Sequence, residues 1–323
     1  MKQGCNQEQK VNLLARILTG IVLSVFTLFA SADRRSVYLL LSGEQPYYQQ
    51  VSRVFEKALA EQPNGPRILA SGLDQSLQVA AGSMVVAIGS RASEFALKRF
   101  PKADILSLLM PVAAWDELHK RLPGLGRRAA VVIDQPLQRA LTLGHLLVPN
   151  AGQVGAVFGP ISVGKRTHLL RAVQRRGMEL LYADMDSADN PIGVLSPLVQ
   201  KSDLFIAVAD RAVFNKSVAK WLLYLSFRQK VSVIGFSQSY AKAGALGAVY
   251  SSPENIGRHG AELMMKLLAQ EQDEPSVDQL WGTNYPKYYT LAINREVARA
   301  LNIRAPELET LYREFQALLE SYR

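Results

Sequence analysis

Two short stretches of this 323-residue sequence have the outline of catalytic loops. The first, Gly159-Pro160-Ile161-Ser162-Val163-Gly164-Lys165, follows an apolar run and is spaced like a phosphate-binding P-loop. That chemistry needs a Ser or Thr after the Lys to hold magnesium, and unblocked N–H groups to cradle phosphate. Arg166 stands where the hydroxyl is needed and Pro160 removes a donor, so nucleotide hydrolysis is set aside. The second, Gly235-Phe236-Ser237-Gln238-Ser239, is spaced like a nucleophile elbow, but Ser239 replaces the final Gly that lets strand and helix approach. A hydrolase would also need a His at a strand end. His119, His145, His168 and His259 fall in or near expected helices, without metal-ligand spacing to one another or to Asp and Glu. No catalytic residue, metal or cofactor is expected.

What remains is a set of polar residues at the ends of apolar runs, and those runs must position them. Residues 36–41, 67–70, 84–88, 105–109 and 129–133 read as strands, several continuously apolar, as in a parallel sheet covered on both faces. Helical periodicity lies between them, for example with Val51, Val54, Phe55, Ala58 and Leu59 on one face. The rhythm repeats after Asp134-Gln135-Pro136, with strands at 154–158, 179–182, 204–208 and 231–234. Repeated β-α units with short loops predict right-handed crossovers and parallel sheets, an α/β class. Further on, 245–250 and 288–293 read as strands. Ser252-Pro253-Glu254 reads as an N-cap, a Pro at the first helical position and a first-turn acid, and Asn294 reads as a second cap.

The first 32 residues have a different character. Lys2, Lys10 and Arg16 precede an apolar run over 17–29, then Ala30-Ser31-Ala32, the three-part pattern of a cleaved secretory signal peptide. Cleavage there leaves a chain beginning at Asp33. Cys5, the single cysteine, precedes the apolar run, so neither disulfides nor lipid attachment is expected, and the product is expected free in the periplasm. The net charge is +9, but the Lys and Arg residues are scattered, with Arg127-Arg128 and Arg175-Arg176 only pairs. A nucleic-acid surface needs a concentrated stripe, so that partner is not expected.

Four segments resemble the periplasmic substrate-binding components of ABC transporters, in the branch related to tryptophan- and tyrosine-type binding proteins. They are Ala87-Ile88-Gly89-Ser90-Arg91-Ala92; Asp134-Gln135-Pro136-Leu137-Gln138-Arg139 running on to Val154-Gly155-Ala156-Val157; Ala243-Gly244-Ala245-Leu246 with Ser252-Pro253-Glu254-Asn255-Ile256-Gly257-Arg258; and Ile293-Asn294-Arg295-Glu296-Val297-Ala298. Their order and spacing carry the likeness across nearly all of the chain after the leader. The resemblance implies a type I periplasmic-binding-protein fold: two Rossmann-like lobes joined by a hinge with several crossovers, each lobe discontinuous in sequence. On that basis 33–134 and 240–273 form the first lobe, and 135–239 and 285–323 the second. It also implies a monomer that captures a small molecule, amino-acid-like in the named branch, and delivers it to a membrane permease. A membrane sensor is the alternative partner. A cytoplasmic repressor of the same fold would need a helix-turn-helix where the leader lies. The sequence departs from the family at Leu109-Met110-Pro111 and Ala209-Asp210-Arg211, which leaves the ligand open.

In open α/β sheets ligands sit beyond the carboxyl ends of the strands. Ser42 and Gln45 follow the first strand, and Gly89-Ser90 opens a helix whose free N–H groups favour an anion. Asp134 lies at the junction of the lobes. Asp210 ends a strand and is the candidate for pairing with a ligand amine. Ser237, Gln238 and Tyr240 lie at the expected second crossing. Ordinary capping or turn chemistry is the alternative for each of these residues.

Overall fold

The computed structural model describes residues 36–63, 65–73, 76–80, 83–269 and 279–322. The expected signal peptide lies outside the described residues. Strands β1 (Ser36–Leu41), β2 (Arg67–Ser71), β3 (Met84–Ile88), β4 (Asp104–Met110) and β5 (Arg128–Val132) form one sheet with β11 (Gly282–Asn284), in the order β11-β5-β4-β3-β1-β2. The second sheet, ordered β12-β10-β9-β8-β6-β7, holds β6 (Gln153–Phe158), β7 (Glu179–Asp184), β8 (Leu204–Ile206), β9 (Ser232–Gly235), β10 (Gly247–Tyr250) and β12 (Thr290–Ile293). All the pairings are parallel except β10 with β12. These are the two α/β lobes.

Composition explains which strands are central. Every residue of β3 (MVVAI) is buried, because helices cover both faces of the sheet, whereas the edge strand β2 (RILAS) has only exposed and intermediate positions. In the first lobe, helix α1 (Pro46–Ala60) turns Val51, Phe55 and Leu59 inward, and α2 (Ser90–Arg99) and α3 (Val112–Arg121) cover the other face. Full burial of one such side chain contributes roughly 1.5–3 kcal/mol. In the second lobe, α4 (Leu137–Leu147) and α5 (Arg166–Gln174) pack on one face, and α6 (Pro191–Gln200) and α7 (Lys216–Arg228) on the other. A short helix α8 (Gln238–Lys242) follows β9.

Among the described residues the chain crosses between the lobes three times, and one crossing differs from expectation. The first is at Asp134–Pro136. The resemblance places the return to the first lobe at Tyr240, but β10 pairs with β9 and β12 in the second sheet, so the return lies at Ser251-Ser252. Helix α9 (Pro253–Leu268) then packs Ile256, Leu263 and Met264 against α1. It opens with the anticipated cap: Ser252 Oγ accepts from the Asn255 N–H, and Asn255 Oδ1 accepts from the Ser252 N–H. Strand β11 completes the first sheet, residues 285–289 make the third crossing, and β12, α10 (Arg295–Ala300) and α11 (Leu308–Ser321) complete the second lobe. Asn294 caps α10, accepting from the Glu296 and Val297 N–H groups.

Hydrogen bonds tie the three crossings together. Gln135 Nε2 donates to Ser251 Oγ at 2.7 Å, and that hydroxyl donates to Tyr288 O at 2.8 Å. Arg139 Nη1 donates to Gln135 Oε1 and to Pro286 O, both at 2.7 Å.

Candidate ligand cleft

A cavity of about 320 Å³ lies between the lobes against the hinge. The first lobe supplies Pro111, Ala113 and Ala114 from the end of β4 and the start of α3, with Ile133 and Asp134 after β5. The second supplies loops after β6, β8 and β9, with Ile161, Ala209, Phe214 and Phe236 as apolar walls and Lys165 as a charged one. In the second lobe these loops include the switch point between β6 and β8, where neighbouring crossovers run in opposite directions and a crevice opens.

Asp134 is the sequence-derived candidate best placed in this cavity. Its Oδ2 accepts from the Val112 N–H at 2.7 Å, occupying the N-terminus of α3. Its Oδ1 accepts from Lys165 Nζ at 2.7 Å, in an ion pair that spans the lobes and leaves the two side chains only 10% and 24% exposed. Tyr285, on the third crossing, has its phenol ionisation raised, first by burial and then by the charges of Asp134 and Asp116. At the mouth, Arg211 lies 3.8 Å from Glu117 of α3, with both side chains mostly in water. Such an exposed pair contributes little.

Asp210 also borders the cavity, but not in the expected way. The residue is 3% exposed, and its Oδ2 accepts from the N–H groups of Ile161 (3.0 Å) and Ser162 (2.8 Å) and from Ser162 Oγ (2.8 Å). Its Oδ1 accepts from the Ala212 N–H at 2.9 Å. Four donors are about what an ionised carboxylate takes. The expected pairing with a ligand amine is therefore corrected: this carboxylate fastens the β6–α5 loop to the end of β8. Gly159 permits the approach, since a Cβ there would lie 2.6 Å from Asp210 Oδ2.

The remaining candidates sit elsewhere. Ser42, Gln45, Gly89 and Ser90 gather at the ends of β1 and β3, outside the cavity lining. Ser42 Oγ accepts from the Ala92 N–H at 2.8 Å, filling the helix terminus expected to receive an anion. Gly89 has φ +89°, and a Cβ on it would meet Tyr48 Cε1 at 2.5 Å, so the turn is packed by protein. Gln45 is exposed at the N-cap of α1. Ser237 caps α8 through the Tyr240 N–H, Gln238 is exposed, and Tyr240 is buried against Gly235 and Phe236. Burial pushes the Tyr240 phenol far above its ordinary value. With the crossing at Ser251, all three lie within the second lobe, Ser237 and Tyr240 as part of its structure and Gln238 on its surface. Gly235 and Phe236 line the cavity instead.

Lys165 carries no signal of this role in the sequence, where it reads only as the last residue of a broken P-loop. Ile133 and Ile161 do follow strands, but an apolar residue at a strand end does not distinguish a ligand wall from core.

No family model matches the sequence, and no curated protein matches it. Solved structures do. A substrate binding protein with adhesive properties from Clostridium difficile, in its ligand-free, open structure, is 18% identical, with a TM-score of 0.61 over 85% of this chain and 97% of that one. The ABC domain from Streptococcus pneumonia in complex with L-Trp is 16% identical, with a TM-score of 0.53 over 87% and 98%. A conserved domain protein from Vibrio cholerae is 19% identical, with a TM-score of 0.52 over the same shares. The chain has the type I periplasmic-binding-protein fold. In that fold the two discontinuous lobes and the hinge of crossing segments are one architecture, and the cavity occupies the space between the lobes.

Proposed function

We propose that this protein captures a small molecule between its lobes and delivers it to a membrane permease of an ABC transporter. One observation carries the reading: the cavity at the hinge has walls from both lobes and an ion pair, Lys165–Asp134, reaching across it. Closure of such lobes stores ligand affinity as a conformational difference that a membrane partner can read. The substrate-binding and ABC-domain proteins of similar fold support the same reading. Export to the periplasm is part of the proposal, and the leader pattern over residues 1–32 supports it.

The test is native mass spectrometry of the protein recovered from the periplasm, beside an Ala209→Phe variant whose larger side chain fills the cavity. A small molecule that accompanies the wild type and is lost in the variant is the expected result. An empty wild type, whose small-angle scattering is also unchanged by a metabolite extract, overturns the proposal. N-terminal sequencing should begin at or near Asp33; intact Met1 on a soluble cytoplasmic product refutes the export step.

A further inference from the structure

The chemistry of the cavity walls narrows what can be bound there. Resting on the reading that the cleft holds a small molecule, we infer that it selects an uncharged, largely apolar ligand with a ring and one hydrogen-bond acceptor. A zwitterion is held most strongly where a free carboxylate faces its ammonium and free N–H donors face its carboxylate. The carboxylates at the cavity are both committed. Asp210 has four donors from its own lobe, and Asp134 holds the Val112 N–H and the Lys165 ammonium.

The donor nests that usually receive anions are filled from within as well. Ser42 occupies the Ala92 N–H at the start of α2, Asp134 the Val112 N–H at the start of α3, and Asp210 the Ile161 and Ser162 N–H groups in the loop before α5. A charged ligand would have to displace one of these internal partners and leave it without a counterpart in a poorly hydrated place. Arg211 also lines the mouth, but its side chain is 76% exposed and lies 3.8 Å from Glu117, so water screens the attraction it exerts on an anion.

What the cavity does offer is apolar surface. Pro111, Ile133, Ile161 and Leu137 provide aliphatic walls, and Phe214 and Phe236 provide rings against which a flat group can pack. One polar handle remains. An ammonium carries three N–H bonds, and among the described residues Lys165 uses its ammonium on Asp134 alone. A spare N–H can donate to a neutral hydroxyl, carbonyl or ether without breaking that pair. The volume lies at the low end of the range for small-ligand sites, which limits the ligand to a compact molecule.

The experiment uses four indoles of similar size that differ in charge: tryptophol (neutral), tryptamine (cation), indole-3-acetate (anion) and L-tryptophan (zwitterion). Isothermal titration of the full-length mature protein should show tryptophol binding at least tenfold more tightly than the other three. Ala209→Phe, confirmed as folded by its thermal transition, should abolish that binding, and Lys165→Met should weaken it severalfold and, by freeing Asp134 Oδ1, narrow the gap to tryptamine. A charged indole that binds as tightly as tryptophol, and is excluded by Ala209→Phe, overturns the inference but leaves capture in the cleft standing. Failure of all four to bind overturns the ring-bearing neutral class. The native-mass experiment then decides independently whether the cleft holds any ligand.

Discussion

Replacing Asp210 by Ala separates two roles for that residue, because they predict opposite results in the absence of ligand. Three backbone N–H groups and one hydroxyl lose their acceptor in the variant. The N–H and Oγ of Ser162 are buried, and the N–H groups of Ile161 and Ala212 are partly buried, so water can reach the second pair more readily than the first. A hydrogen bond to a charged group contributes about 1.5–3 kcal/mol. Counting the buried pair alone, and leaving out the two that water can satisfy, gives a loss of roughly 3–6 kcal/mol. For a lobe of this size that corresponds to a fall in unfolding temperature on the order of 10 °C. The assay is urea and thermal unfolding of ligand-free protein, with Ser162→Ala and the double variant completing a cycle. Since Ser162 Oγ both donates to Asp210 and accepts from the Gly159 N–H, coupling above about 0.5 kcal/mol is expected. If Asp210→Ala keeps its ligand-free stability and loses only ligand-induced stabilisation, the carboxylate faces the ligand, and the loop-fastening role is wrong.

Three other substitutions probe different parts of the molecule. Lys165→Met should leave Asp134 with only the Val112 N–H, cost about 1–3 kcal/mol, and increase the radius of gyration of the free protein by loosening the lobes. Unchanged scattering would show that the ion pair does not hold the lobes together. Gly89→Ala should destabilise by roughly 1–3 kcal/mol, since the position has φ +89° and no room beside Tyr48 and Ser42; a neutral result in urea unfolding would contradict the packing of that turn. His259, whose Nδ1 accepts from the Lys287 N–H, has its pKa lowered to about 4, chiefly by burial. Its neutral form is favoured in the fold, so its contribution is full above about pH 6.5 and is lost as pH falls towards 4. After discounting for partial solvent access, the loss is on the order of 1–2 kcal/mol. Urea titrations at pH 7 and pH 4.5 should show a smaller acid loss in His259→Asn, and an identical loss would remove the histidine from the account.

The alternation of apolar runs and amphipathic segments made the two α/β series readable, because strands such as MVVAI and RAAVV are buried throughout and can be little else. The short strand β11 was not readable. Gly282-Thr283-Asn284 has no apolar pattern and is a strand only because it pairs with residues 129–131. Nor could the sequence decide which sheet takes β10, since GAVY would serve in either; its partners β9 and β12 settle it. For the site, the lobe junction pointed to Asp134 and the strand-end rule to Asp210, but neither could reveal what their oxygens hold. The partners of Asp210 in the β6–α5 loop lie 48 and 49 positions away in the chain. A polar residue at a strand end reads the same whether it faces a ligand or a neighbouring loop.

The weave of the two sheets bears on how the molecule can be made. The first sheet lacks its edge strand until residues 282–284 are present, and the second lacks β12 and the α11 cover until still later. During synthesis neither lobe can finish ahead of the other as an autonomous module, although most of the first lobe's residues emerge early. A chain arrested after residue 250 would hold five strands of each sheet and neither α9, β11 nor α11, leaving apolar faces open on both halves at once. Both lobes therefore depend for completion on elements that the final quarter of the chain supplies.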